Sequence, residues 1–283
     1  MAEVKILTSG VLATLQDQGR FGFGQYGVPQ SGAMDQVAYR LANHLLGNQN
    51  NEACIEWAFR APVLQFSEDT EIVLTGAIAT TFINDKKVGA YRKIKIYKND
   101  VLRIDFCKTG VYGYIGVKGG FLSPMVLKSR SFYKSISPQW VLKKNDAIPY
   151  RSMHFFENHF STISTSFDLQ KNKKLPVYKG AEFNWLSDTQ KSRLLDDQFT
   201  ISNAINRMAI QLEERLPNSL PSMLTGPVLP GTVQMTPSGM LMVLMRDCQT
   251  TGGYPRVLQL SEEAINMIAQ KRMKETFAFE LVE

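Results

Sequence analysis

Residues 70–120 read TEIVLTGAIATTFINDKKVGAYRKIKIYKNDVLRIDFCKTGVYGYIGVKGG, and their spacing decides the fold class. TEIVLTG (70–76) is rich in β-formers. ATTFIND (79–85) runs into a turn at Asn84-Asp85, KIKIY (93–97) alternates, Asn99-Asp100 turns again, and VLRIDF (101–106) alternates once more. GVYGYIGVKGG (110–120) is an aromatic strand flanked by glycine. Apolar residues at every second position give each strand one core-facing side. Turns at such short intervals leave no room for crossover helices. From Cys54 to about Val117 the pattern therefore predicts an all-β barrel or sandwich, not βαβ units.

Upstream, residues 4–16 read as extended, with Val4, Ile6, Val11 and Leu15 apolar. A glycine-rich stretch, LQDQGRFGFGQYGVPQSGAMD (15–35), follows. Met34 to Leu46 then predicts a helix, with Val37, Ala38, Leu41, Ala42 and Leu45 on one face. Ser31 is placed to cap it, Asp35 falls in its first turn, and Gly47 suits the C′ position. Downstream, residues 150–175 turn rich in Ser, Asn, Lys and aromatics and end at Pro176, which marks a domain junction. Beyond it, 186–195 predicts a short helix capped at Ser187, LMVLMRD (241–247) a buried strand, RVLQL (256–260) another strand, and Glu262 to Lys274 a helix behind Ser261. The expected division is 1–170 and 175–283, with exchange of strands between the two units left open.

The chain has 283 residues and 44% hydrophobic content, enough for two globular units with cores. No apolar run approaches about 18 residues, so no transmembrane helix is expected, and the N-terminus lacks a signal-peptide apolar region. Three widely spaced cysteines (Cys54, Cys107, Cys248) suit a reducing cytoplasm and make neither a disulfide framework nor a zinc cluster. The net charge is +6, with lysines gathered at 86–98, 143–144 and 171–174. No nucleic-acid motif accompanies them, so they read as solvated loops.

Two stretches combine glycines with polar groups in a way that ordinary cores do not need. In the first, Gly22, Gly24 and Gly27 spell G-x-G-x-x-G, but Val28-Pro29 follows at once where a dinucleotide fingerprint opens a helix. The glycines, Gly27 among them, instead allow a long loop to turn. Ser31-Gly32-Ala33-Met34-Asp35 sits at a helix start. It reads either as an anion site made of unpaired N–H groups or as the helix's own cap. Asp17 and Arg20 just upstream read either as an exposed pair or as groups that orient an amide and a carboxylate. The second stretch, Asp247 to Pro255 (DCQTTGGYP), follows the buried strand 241–247. Gln249, Thr250, Thr251 and Tyr254 around Gly252-Gly253 form either a tight turn or the polar wall of a pocket. Cys248 reads as a buried structural thiol, and His44, His154 and His159 have no metal-ligand spacing. No G-x-x-x-x-G-K-[ST] phosphate loop and no biotin-bearing segment is present.

These stretches carry a resemblance. Gly10-Val-Leu-Ala-Thr-Leu-Gln-Asp-Gln-Gly-Arg20, Gly27-Val-Pro-Gln-Ser-Gly-Ala-Met-Asp35, Leu74-Thr-Gly-Ala, Ser129-Arg-Ser131, Arg207-Met208, Pro230-Gly-Thr-Val-Gln234 and Asp247-x-Gln-Thr-Thr-Gly-Gly-Tyr-Pro occur in this order. They resemble the family variously called biotin-dependent carboxyltransferase, allophanate hydrolase subunit 2 and the C subunit of 5-oxoprolinase, which includes an antagonist of a sporulation-kinase inhibitor. Two departures stand out: Gln211 replaces a second arginine, and Cys248 stands where the family carries a basic or small polar residue.

The resemblance implies a mainly β fold with a few helices, built as two cyclophilin-like β-barrel units facing a shared cleft. It implies a cytoplasmic protein that works with the B and A subunits of the oxoprolinase to open the 5-oxoproline lactam to glutamate. ATP is then used at the complex without a motif in this chain. The alternatives are a carboxyltransferase component served by biotin on another polypeptide, and a non-enzymatic regulator that binds a kinase inhibitor resembling the B subunit. Arg20, Ser31, Asp35, Gln249, Thr250, Thr251 and Tyr254 are the expected cleft wall, with Arg130, Arg207 and Gln234 behind them. Gly27, Gly32, Gly252 and Gly253 are the expected loop glycines, Asp17 is the first choice of general base, and no metal is expected.

Overall fold

The computed structural model describes residues 1–49, 51–153, 173–218, 220–221 and 223–282. Most of the junction expected at 150–175, with His154 and His159, lies outside the described residues. Two compact units emerge: Met1–Arg20 with Ser31–Phe167, and Phe21–Gln30 with Asp168–Glu283. Residues 21–30 thus belong with the second unit although the first surrounds them in sequence.

The first unit is two sheets and one helix. β1 (Ala2–Thr8), β4 (Val63–Phe66), β6 (Thr81–Ile83), β7 (Lys86–Val88), β9 (Val101–Ile104) and β11 (Ala147–Tyr150) form one sheet, in the order β11-β1-β4-β9-β6-β7. β2 (Leu12–Gln16), β3 (Cys54–Ala58), β5 (Thr70–Ile78), β8 (Ile94–Ile96) and β10 (Thr109–Val117) form the other, in the order β2-β3-β10-β5-β8. Ile6, Leu15, Leu64, Phe66, Ile72, Ile115 and Tyr150 fill a common core. The turn read at Asn84-Asp85 is a two-residue hairpin loop. Ile83 faces Lys86 across it, and both turn residues have positive φ, 46° and 64°.

Helix α1 (Gln36–Leu46) packs on β5 and β10 and ends at Gly47, which is left-handed at φ 63°. Its start corrects the sequence reading. Asp35 is the cap, accepting from the Ala38 N–H at 3.0 Å, whereas Ser31 lies further upstream with φ 56°. The buried face is also rotated from the expected one. Val37 is exposed, while Tyr39 and Asn43 are buried because both donate to the Glu52 carbonyl, at 3.0 and 2.9 Å. Burial with a satisfied partner overrides a purely apolar pattern.

The second unit is a closed barrel. Its strands are β12 (Lys174–Lys179), β13 (Phe199–Ile205), β14 (Ala209–Arg215), β16 (Thr232–Met235), β17 (Met240–Leu244), β19 (Arg256–Leu260) and β20 (Thr276–Leu281), in ring order β12-β19-β16-β17-β14-β13-β20. β15 (Gly226–Pro227) and β18 (Thr251–Gly252) form a small separate ladder. Helix α2 (Asp188–Asp196) begins in a capping box of Ser187 and Gln190, and α3 (Glu262–Ala269) is capped by Ser261. α3 stops well short of the expected Lys274. The chain must return as β20, which closes the ring by pairing parallel to β12 and antiparallel to β13. Phe277 and Phe279 on β20 stack with Phe199 in the barrel core, with centroids 6.3 and 5.2 Å away. Among the described residues, no helix is long and apolar enough to cross a membrane.

One ion pair fastens the barrel wall to the turn after β12. Glu182 accepts from Arg256 Nε at 2.9 Å, from its Nη2 at 2.7 Å and from its backbone N–H at 2.9 Å. The hydrogen bonds from Arg256 hold the Glu182 carboxyl below its ordinary pKa, against the opposing effect of burial. A lowered folded pKa contributes stability above the unfolded value and loses it as pH falls through the folded one. Glu182→Gln is therefore expected to show a smaller fall in melting temperature than the wild type between neutral pH and about pH 3. Equal falls in thermal melts at the two pH values would contradict this role.

Candidate functional site

In the first unit the polar loop after β2 is tied to residues more than a hundred positions away. Asp17 Oδ1 accepts from the Gly19 N–H (2.8 Å), Ser129 Oγ (2.7 Å) and Ser131 Oγ (2.6 Å), and Oδ2 accepts from the Arg130 N–H (2.6 Å). Ser131 Oγ in turn accepts from the Asp17 N–H at 3.0 Å. The buried Arg20 guanidinium donates to the Ser131 carbonyl, and that of Arg130 to the Ser123 carbonyl. Those four donors give Asp17 the geometry of a loop tie, not that of a base open to substrate. Proton transfer needs a lone pair aimed at the reacting group.

The segment 31–35 folds down on this tie. Gly32 has φ 89°, and a Cβ there would lie 2.7 Å from the Gln18 carbonyl oxygen, so only glycine permits the approach. The Ala33 N–H donates to the Asp17 carbonyl at 3.0 Å, and Ser31 Oγ to the Phe132 carbonyl at 3.4 Å. The Met34 N–H donates to Glu56 Oε2 at 2.7 Å and the Asp35 N–H to the Tyr114 hydroxyl at 2.8 Å. That hydroxyl donates to Glu56 Oε2, also at 2.8 Å. Burial, then the charge of Glu56, pushes the Tyr114 phenol well above its ordinary pKa, so it remains a donor. These backbone donors ahead of the helix are used within the protein. Ser31 bonds away from the helix, and Asp35 takes the capping place instead. Glu56 and Tyr114 were missed by the sequence reading. The only signal was one carboxylate in the otherwise apolar CIEWA.

Gly22, Gly24 and Gly27 make no dinucleotide loop. Gly24–Tyr26 is a single 3-10 turn closed by Gly27 at φ 75°, and α1 begins only at Gln36.

In the second unit the DCQTTGGYP loop is fixed at its base by Arg207, which pairs with Asp247 through Nε–Oδ2 at 2.8 Å and Nη2–Oδ1 at 2.9 Å. The Asp247 N–H returns to the Arg207 carbonyl at 2.8 Å. Gln234, fully buried on β16, donates from Nε2 to the Tyr254 carbonyl at 3.1 Å. A Cβ on Gly252 would come 2.6 Å from that same Nε2, so the loop lies directly on the Gln234 amide. Gly253 differs from its expected role. Its φ is outside the left-handed region, and a Cβ there would meet nothing nearer than Thr225 Oγ1 at 4.0 Å.

The ladder of β15 and β18 pairs Gly226 with Gly252 and Pro227 with Thr251. Thr251 and Tyr254 are exposed, Gln249 and Thr250 half-buried. Gln249 Oε1 is buried and has no hydrogen-bond partner among the described residues. Cys248 is buried, and burial pushes its thiol up to about 12, so it stays protonated at neutral pH. The loop presents an amide, hydroxyls and a phenol, and its one carboxylate, Asp247, is engaged by Arg207. These groups are hydrogen-bond donors and acceptors. Among the described residues, no group of His, Cys, Asp and Glu could hold a metal ion.

Comparison with known proteins agrees with this architecture. The chain is 30% identical to the C subunit of 5-oxoprolinase from Haemophilus influenzae, over 99% of its own length and 91% of that protein's. It is 35% identical to the urea amidolyase of Lachancea kluyveri over 130 residues, which is 46% of this chain and 7% of that protein. The crystal structure of the K. lactis urea amidolyase superposes with a TM-score of 0.89 at 21% identity, covering 99% of this chain and 19% of that one. That likeness shows a shared fold. Residues 26–281 match the family described as the carboxyltransferase domain, subdomains A and B, and the chain belongs to that family.

Proposed function

We propose that this chain is the C subunit of an ATP-dependent 5-oxoprolinase that acts in the cytoplasm with sister B and A subunits. The observation that carries this reading is the end-to-end match to a 5-oxoprolinase C subunit, where the urea amidolyase match covers less than half of this chain. On this reading Gln249, Thr250, Thr251 and Tyr254 bind the lactam and polarise its carbonyl, on which negative charge develops as the ring opens. Gln234 and Arg207 hold that wall from behind. Asp17, Arg20, Ser31, Asp35 and Arg130 shape the polar loop of the first unit, with Asp17 as its tie. The chain has no phosphate-binding motif, so nucleotide handling and proton transfer fall to the assembled complex.

A carboxyltransferase component is the second reading. It is favoured by the 35% identity to a urea amidolyase in the matched segment, with biotin supplied by another polypeptide.

Co-expression with the genomic neighbour resembling the B subunit, with the A subunit added, is expected to give ATP hydrolysis that depends on 5-oxoproline. A stable complex without that turnover, but with carboxyl transfer from a biotin donor to urea, would establish the second reading instead. Thr251→Val keeps the shape of an exposed side chain and removes its hydroxyl. It is expected to lower kcat/KM about tenfold, the worth of one hydrogen bond of ~1.4 kcal/mol, at unchanged melting temperature. Full activity would remove Thr251 from the wall. Gly252→Ala pushes on the Gln234 amide and is expected to cost ~1–3 kcal/mol in denaturant unfolding and to impair turnover, whereas Gly253→Ala is expected to be near neutral. Equal effects of the two would refute the contact with Gln234.

A further inference from the structure

The Thr250–Gly252 segment rests on a two-residue ladder, which has little stability of its own. The second unit supplies a support for it that the sequence did not reveal. Arg256 stands at the start of β19 and uses its whole guanidinium fork. Nε and Nη2 grip the two oxygens of Glu182, and Nη1 donates to the Pro227 carbonyl at 2.8 Å. A Cβ on Gly226 would lie 3.5 Å from that Nη1, so β15 passes directly over the guanidinium. β15 then carries β18 through its pairing, and the Val228 N–H adds a bond to the Thr250 carbonyl at 3.1 Å.

Glu182 is itself anchored to the barrel. Its N–H donates to the Arg256 carbonyl at 3.1 Å, and the Gly180 N–H donates to the Val257 carbonyl at 3.1 Å. The carboxylate is nearly closed to solvent, with its side chain 8% exposed.

We propose that Glu182 and Arg256 are positioning residues that hold Thr250–Gly252 in place through β15. Their bearing on substrate rests on the oxoprolinase reading above. The linkage runs from barrel strand to guanidinium, from guanidinium to β15, and from β15 to β18. Gln234 supports the same loop through the Tyr254 carbonyl. Arginine is required because a planar fork can bind a carboxylate with one edge and a carbonyl with the other, whereas a lysine ammonium is a single point. Glutamate is required because Oε2 receives two donors and Oε1 one; a glutamine would turn one of those sites into a donor facing donors.

The test is backbone hydrogen exchange on the purified chain, comparing wild type with Arg256→Lys, Arg256→Gln and Glu182→Gln. Exchange of the Val228 amide is expected to accelerate about tenfold or more in each variant, while the Val243 amide in the barrel keeps its protection. Arg256→Lys keeps the charge beside Glu182 and is the informative variant if the other two fold poorly. A wild-type rate at Val228 in Arg256→Lys overturns the proposal. In the assembled complex, Arg256→Lys is expected to lower kcat/KM for 5-oxoproline about tenfold, with a loss in kcat as well as a rise in KM. An unchanged kcat/KM in a complex that turns over would also overturn it, because the displaced segment would then not touch substrate. Exchange is read without partners or substrate, so a wild-type complex that fails to turn over counts against the oxoprolinase reading alone.

Discussion

A carboxylate removed from water must collect donors, and the loops of both units run where their buried carboxylates find them. Asp17, Glu56 and Glu182 are nearly fully buried. Leaving any of them unpaired would cost several kcal/mol, a large share of a domain's net stability. Asp17 gathers the 129–131 segment, and Glu56 gathers the Met34 N–H and the Tyr114 hydroxyl. Asp247 fixes the base of the second polar loop through Arg207, and Glu182 fixes Arg256. The glycine-rich stretches are quiet by comparison. Within them, Gly32 lets the backbone pass close over the Gln18 carbonyl, and Gly252 over the Gln234 amide.

This explains which parts of the molecule could be read in advance. Features set by neighbours in sequence were legible: the alternating strands 70–117, the Asn84-Asp85 hairpin, the caps Ser187 and Ser261, and the C-terminal glycine of α1. Features set by distant partners were not. Nothing near Asp17 announces Ser129 and Ser131, so a tied carboxylate looks the same as a free one. Ser31 resembles a cap until the fold of 31–35 onto 17–19 gives Asp35 that position. Gly252 and Gly253 are equivalent as letters, and only the Gln234 amide beneath one of them tells them apart. β20 went unread because TFAFEL is short and follows a helical pattern that runs on past Ala269. Its necessity comes from ring closure, which is not a local property.

The chemistry on this chain is one-sided. On the 247–255 loop the hydroxyl of Thr251 and the phenol of Tyr254 are exposed, while the Gln249 amide oxygen is buried and Asp247 is engaged by Arg207. On the proposed function this is a division of labour within the complex. This protein would fix the geometry of a carbonyl compound and leave nucleotide and proton chemistry to its partners. The same surface would serve a carboxyl transfer, because an amide-like N–C=O presents the same acceptor and donor edges. Fold and polar wall can therefore be shared across the family while the reaction differs.

The parallel pairing of β12 with β20 bears on how the chain is made. The ring of the second unit lacks its closing strand until residues 276–281 have been synthesised, and the unit also takes in residues 21–30, which leave the ribosome long before them. The earlier segment must wait, unassembled, while the intervening chain is made. Long-range closures of this kind slow folding and leave strand edges open in the interim. Until that last strand arrives, the edges of β12 and β13 that it will join stand open.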